Sequence, residues 1–84
     1  MTRYRALVGP EGTAPSLWPN RDKARLAVVH GLAVAADVNP MDAKQIEQVL
    51  NHLSVAGDTF ADYFRIDDEP WTAQYGPVST VETG

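Results

Sequence analysis

Residues 20–57, NRDKARLAVVHGLAVAADVNPMDAKQIEQVLNHLSVAG, decide how this chain folds. They read as two helices, over 20–37 and 40–56, joined by a very short turn. Asn20 stands where a side-chain oxygen caps a helix start, and Asp22 complements the positive end of the helix dipole. From there the first helix is apolar on nearly every face. Leu26, Val29, Ala33 and Ala36 share one side, and Val28, Leu32 and Ala35 another. Such a helix is covered on both sides. Gly31 in its middle costs roughly 1 kcal/mol relative to alanine, which predicts close approach of a neighbouring backbone.

The second helix opens on the clearest signal in the chain. Asn39 reads as its cap, Pro40 as the first helical residue, where the missing N–H has no partner anyway, and Asp42 as the dipole's complement. Ile46, Val49, Leu50 and Leu53 then recur at helical spacing as one apolar stripe. Gln45, Gln48, Asn51 and His52 sit away from it, and Gly57 reads as the stop.

The flanks read as cover for this pair. Residues 2–8 alternate as a half-buried strand, with Tyr4, Ala6 and Val8 on one face. Gly9-Pro10-Glu11-Gly12 is a turn, and residues 13–18 return as a second strand that Pro15 confines to a sheet edge. Residues 59–67 read as a short third strand pairing with the first, or as an irregular aromatic segment. Glu69-Pro70-Trp71 ends it, Gln74-Tyr75-Gly76-Pro77 is another turn, and 78–84 is expected to be a mobile tail. The expected fold is α+β: one small domain over 1–77, an N-terminal β-hairpin and two packed helices.

The composition narrows the function classes. A net charge of −4 and pI near 4.8 speak against direct nucleic-acid binding or an anionic membrane surface. The charge is uneven. Arg3, Arg5, Arg21, Lys23 and Arg25 outweigh Glu11 and Asp22 up to residue 25, whereas beyond it only Lys44 and Arg65 stand against nine acids. Cysteine is absent, which fits a reducing compartment. The longest apolar run, 26–36, contains His30 and Gly31 and is too short to span a membrane. The opening residues are too few and too charged for a signal peptide. A cytoplasmic protein without membrane association is expected.

No chemistry-bearing pattern stands out. His30 and His52 could approach across the helix pair near Asp58 or Asp62, but no metal-ligand spacing supports a site, and no metal or cofactor is expected. Ser16, Ser54 and Ser79 sit in no nucleophile elbow. The acids Asp58, Asp62, Asp67, Asp68 and Glu69 lack the spacing of a calcium loop and read first as a solvated edge. A helix-turn-helix is disfavoured because the second helix opens on Met41-Asp42 and carries one lysine.

The informative oddity is the apolar first helix, for which 84 residues supply little cover. The expectation is therefore a non-catalytic protein–protein interaction module, self-associating as a homodimer, with Leu26, Val29, Trp18, Trp71 and Tyr75 as partner-binding candidates. The alternative is an acidic inhibitor or DNA mimic that occupies a basic groove through the five clustered acids.

Overall fold

The structure, a computed structural model, describes residues 3–78. Strand β1 (Arg3–Pro10) and the short β2 (Ser16–Trp18) form the N-terminal hairpin. Helix α1 (Arg21–Val38), a single 3-10 turn (Pro40–Asp42) and helix α2 (Ala43–Ser54) follow. Strands β3 (Phe60–Ile66) and β4 (Glu69–Val78) complete a four-stranded antiparallel sheet in the order β2-β1-β4-β3. Both helices pack on one face, so the domain is α+β in two layers. Among the described residues no helix is long and apolar enough to cross a membrane.

The core lies between the layers. Val28 and Leu32 of α1 meet Ile46, Val49 and Leu53 of α2 above Phe60, Phe64 and Ile66 of β3, and Ala73 and Tyr75 of β4. The α2 stripe read from spacing is this buried face. On α1 the sheet-facing side is built from small residues: Ala24 is buried, and a Cβ added at Gly31 would stand 3.0 Å from Val8 Cβ. A close approach at Gly31 is present, but it is made by the Val8 side chain of β1 and not by the neighbouring backbone expected. Asn20 caps α1 as expected, its Oδ1 accepting from the Lys23 N–H at 2.9 Å.

Five expectations are corrected. The third strand does not pair with the first. β4 stands between them, along β1 from Arg3↔Val78 to Pro10↔Trp71 and along β3 from Phe60↔Tyr75 to Ile66↔Glu69. The supposed break at Glu69-Pro70-Trp71 and turn at Gln74–Pro77 are therefore inside one ten-residue strand. Val78 belongs to that strand, and the remainder of the expected tail lies outside the described residues. Asn39 does not cap α2. Its backbone N–H and its Nδ2 both donate to the Ala35 carbonyl, at 2.9 and 3.0 Å, so it closes α1 instead. Helix α2 ends at Ser54, ahead of Gly57, whose carbonyl accepts from the Tyr75 hydroxyl.

The ladder explains why prolines interrupt nothing. Along an antiparallel strand, successive residues aim their N–H and C=O alternately at one neighbour and the other. On β3 the Tyr63 and Arg65 N–H groups point away from β4, because they donate to side chains at the outer edge. Carried through the register, this alternation aims position 70 of β4 at β1, which stops opposite Trp71, and position 77 at β3, which starts opposite Tyr75. Both prolines stand where no ladder bond could form, the one place a strand tolerates them.

Candidate partner-binding surface

A sheet of this kind offers a partner its edges, its uncovered face or the outer sides of its helices. Both edges are largely blocked, with the Ala61 and Leu17 N–H groups left open. On β3 the outward N–H groups of Tyr63, Arg65 and Asp67 donate to Asp62 Oδ1, Gln45 Oε1 and Asp42 Oδ2 at 2.9, 3.2 and 3.1 Å. On β2, Ser16 and Trp18 face β1, so the outward positions are Pro15, Leu17 and Pro19. Two of those three have no N–H, and a second chain cannot extend the sheet there.

The uncovered sheet face is mixed and basic. It presents Arg3, Arg5, Arg65, Thr72 and Gln74 beside Leu7, Leu17, Tyr63 and Val78, with no acid among its strand residues. Of the five N-terminal cations Arg3 and Arg5 lie there, whereas Arg21, Lys23 and Arg25 are on α1.

The outer side of α1 is different. Its axis turns about 100° per residue, so Val28, Leu32 and Ala35 lie inside while Leu26, His30, Ala33, Val34 and Asp37 look outward. Leu26 is 65% exposed, Val34 48% and Val38 69%. Met41 in the 3-10 turn continues this apolar strip beyond the helix. Beside it runs an open groove of about 590 Å³ between α1 and the end of the sheet, walled by Val8, Gly31, Val34, Val38 and Trp71.

The five partner-binding candidates fall in different places. Leu26 is on the exposed strip. Val29 is half-buried against the core. Trp18 is half-buried in the hairpin, its Nε1 donating to Ser16 Oγ at 2.7 Å. Trp71 is half-buried with its ring 6.1 Å from that of Phe64, so it forms a groove wall and does not protrude. Among the described residues its Nε1 is the buried side-chain polar atom that lacks a hydrogen-bond partner. Tyr75 is not available to a partner: it is 3% exposed, stacked on Phe60 and bonded through its hydroxyl to Gly57. Its position on the central strand puts it in the core. Sequence reasoning missed Val34, Val38 and Met41, although the helical spacing of Leu26, Ala33 and Val34 was a signal for them.

The five acids are dispersed. Asp58 sits before β3, 3.8 Å from Arg21. Asp62 is turned inward, and its Oδ2 accepts from the His52 Nδ1–H at 2.7 Å. Asp67 and Asp68 form the β3–β4 turn at the far end of the strand, and Glu69 starts β4. Arg21 also pairs with Asp22 at 3.1 Å; that hydrogen bond and then the Asp22 charge raise its guanidinium above the ordinary arginine range. His52 is engaged by Asp62, whereas His30 lies by the α1 groove. Among the described residues no group of three or more His, Cys, Asp or Glu is placed to hold a metal ion.

Comparison of the chain with models of known protein families, with curated proteins and with solved structures found no match.

Proposed function

We propose that this protein is a non-catalytic protein–protein interaction module that self-associates and binds its partner through apolar surface. The observation that carries this reading is the α1 strip: Leu26, Val34 and Val38 point away from a core that the opposite side of the same helix already fills. Solvated aliphatic side chains in a row, beside a groove walled by Val8 and Trp71, favour burial against another surface at about 25 cal/mol per Å² of apolar area covered. The blocked edges direct association to this side.

Light scattering on the eluting protein at two concentrations and two salt concentrations tests the reading. A mass that rises with concentration and holds in salt supports an apolar contact. Val34→Asp, with the circular dichroism of the parent, should then reduce the mass to that of a monomer. A monomer under every condition overturns self-association. An association lost in salt would favour the acidic-inhibitor alternative, which rests on net charge.

A further inference from the structure

We infer that the occupant of the α1 strip is a second copy of this chain, packed antiparallel about a two-fold axis through His30. This inference rests on the strip being an interaction surface and adds its partner, orientation and register.

Within this face the seam is Lys23, Leu26, Ala27, His30, Ala33, Val34 and Asp37, at intervals of three, one, three, three, one and three residues, with Val38 and Met41 beyond its paired positions. All are exposed except Ala27, which is half-buried. This is the spacing of a coiled-coil seam, in which side chains of two helices interdigitate. It is also symmetric about its centre. When two copies run antiparallel with His30 on the axis, Lys23 faces Asp37 of the other copy, Leu26 faces Val34, and Ala27 faces Ala33. Every pair off the axis is then charge with opposite charge, aliphatic with aliphatic, or small with small, and on the axis His30 meets its own copy. The two alanine positions beside the axis allow the helices to approach closely.

Charge chooses the orientation. Neither the Lys23 ammonium nor the Asp37 carboxylate takes part in an ion pair among the described residues. A parallel pair would set Lys23 against Lys23 and Asp37 against Asp37, which is repulsive at both ends. The antiparallel pair makes two attractive contacts instead. An 18-residue helix is about 27 Å long, so one such seam covers less than a standard interface. A weak, concentration-dependent dimer follows, with Kd on the order of 10 μM. In it the two sheets lie outermost, with their basic faces turned in opposite directions.

Sedimentation equilibrium from low micromolar to submillimolar protein tests the register with charge exchange. Lys23→Asp and Asp37→Lys each turn two attractions into two repulsions, so each should weaken the dimer about tenfold. The double variant restores the pairs reversed and should regain the parental affinity. Both substitutions suit the helix dipole, an acid near its start and a base near its end, so loss of dimer will not reflect loss of the helix. A neutral Lys23→Gln variant that tightens the dimer would show a parallel pair, whose Lys23–Lys23 repulsion it relieves, and overturn the inference. A dimer abolished by Val34→Asp but indifferent to the charge variants overturns the register and leaves the strip as the interface. A wild-type monomer at all concentrations overturns self-association itself.

Discussion

Replacing Asp68 by glycine should stabilise this protein, and replacing it by alanine should destabilise it. Two residues, Asp67 and Asp68, connect β3 to β4, and both have positive φ, 52° and 70°. This is the geometry of the two-residue hairpin turn whose twist matches that of its strands. An L-residue in that region costs about 1–2 kcal/mol; aspartate pays the least after glycine and asparagine. Glycine at 68 removes roughly 1 kcal/mol of this cost and retains the turn's backbone bonds, Asp67 N–H to Asp42 Oδ2 at 3.1 Å and Arg65 Nη2–H to the Asp68 carbonyl at 2.9 Å. What is lost is the Arg65–Asp68 pair, 3.9 Å long and fully solvated on the acid side, which contributes little. The net expectation is a gain of about 0.5–1 kcal/mol, which for a domain of this size raises Tm by about 3–6 °C. Asp68→Ala removes the same charge but fits positive φ worse, so about 0.5–1 kcal/mol should be lost. Urea and thermal melts by far-UV circular dichroism read both. If alanine stabilises as much as glycine, relief of repulsion among Asp67, Asp68 and Glu69 is the cause and the conformational account is wrong.

Three further expectations follow from the packing. Tyr75→Phe leaves the Gly57 carbonyl without its donor and should cost about 1 kcal/mol in urea melts; Tyr75→Ala should cost about 3–5 kcal/mol, so a stable Tyr75→Ala variant would show that the residue is not core. Gly31→Ala gains about 1 kcal/mol of helix propensity but sets a methyl 3.0 Å from Val8 Cβ, at an overpacking cost of about 1–3 kcal/mol, so a net loss near 1 kcal/mol is expected and a gain would mean that α1 shifts freely over β1. Removing the edge acceptors by Asp42→Ala with Gln45→Ala frees the Asp67 and Arg65 N–H groups, and heated samples should scatter light earlier than the parent; unchanged scattering would show that these caps do not guard the edge.

The helices were legible because helical period is a local property. Asn20, Asp22 and the stripe from Ile46 to Leu53 carry their meaning within a few residues. The strand β4 was not legible because the meaning of a proline in a strand depends on which neighbour its missing N–H would face. That phase is set by β1 and β3, whose paired residues lie 61–75 and 3–15 positions away in sequence. The same non-local fact hid the fate of Tyr75, which reads as a turn residue until β4 places it over Phe60. Asn39 shows a local ambiguity: its amide can open the second helix or close the first, and the free carbonyl of Ala35 takes it. For α1 both flanks are apolar, so hydrophobicity could not say which one faces in. The discriminating signal was size. Ala24, Gly31 and Ala35 mark the side that must lie against a sheet, which leaves Leu26 and Val34 outside.

The edge residues bear on function as well as on stability. Gln45 and Asp62 read from sequence as solvated side chains and Asp42 as a helix-dipole complement, yet Gln45 and Asp62 each take one outward N–H of β3 and Asp42 that of Asp67 in the turn after it, while Pro15 and Pro19 leave the other edge with a single donor at Leu17. Five side chains thus oppose sheet extension in a chain that leaves an aliphatic strip on α1 uncovered. The blocked edges disfavour open-ended strand addition, which has no stopping point, whereas the proposed pairing of α1 about a two-fold would close after two copies.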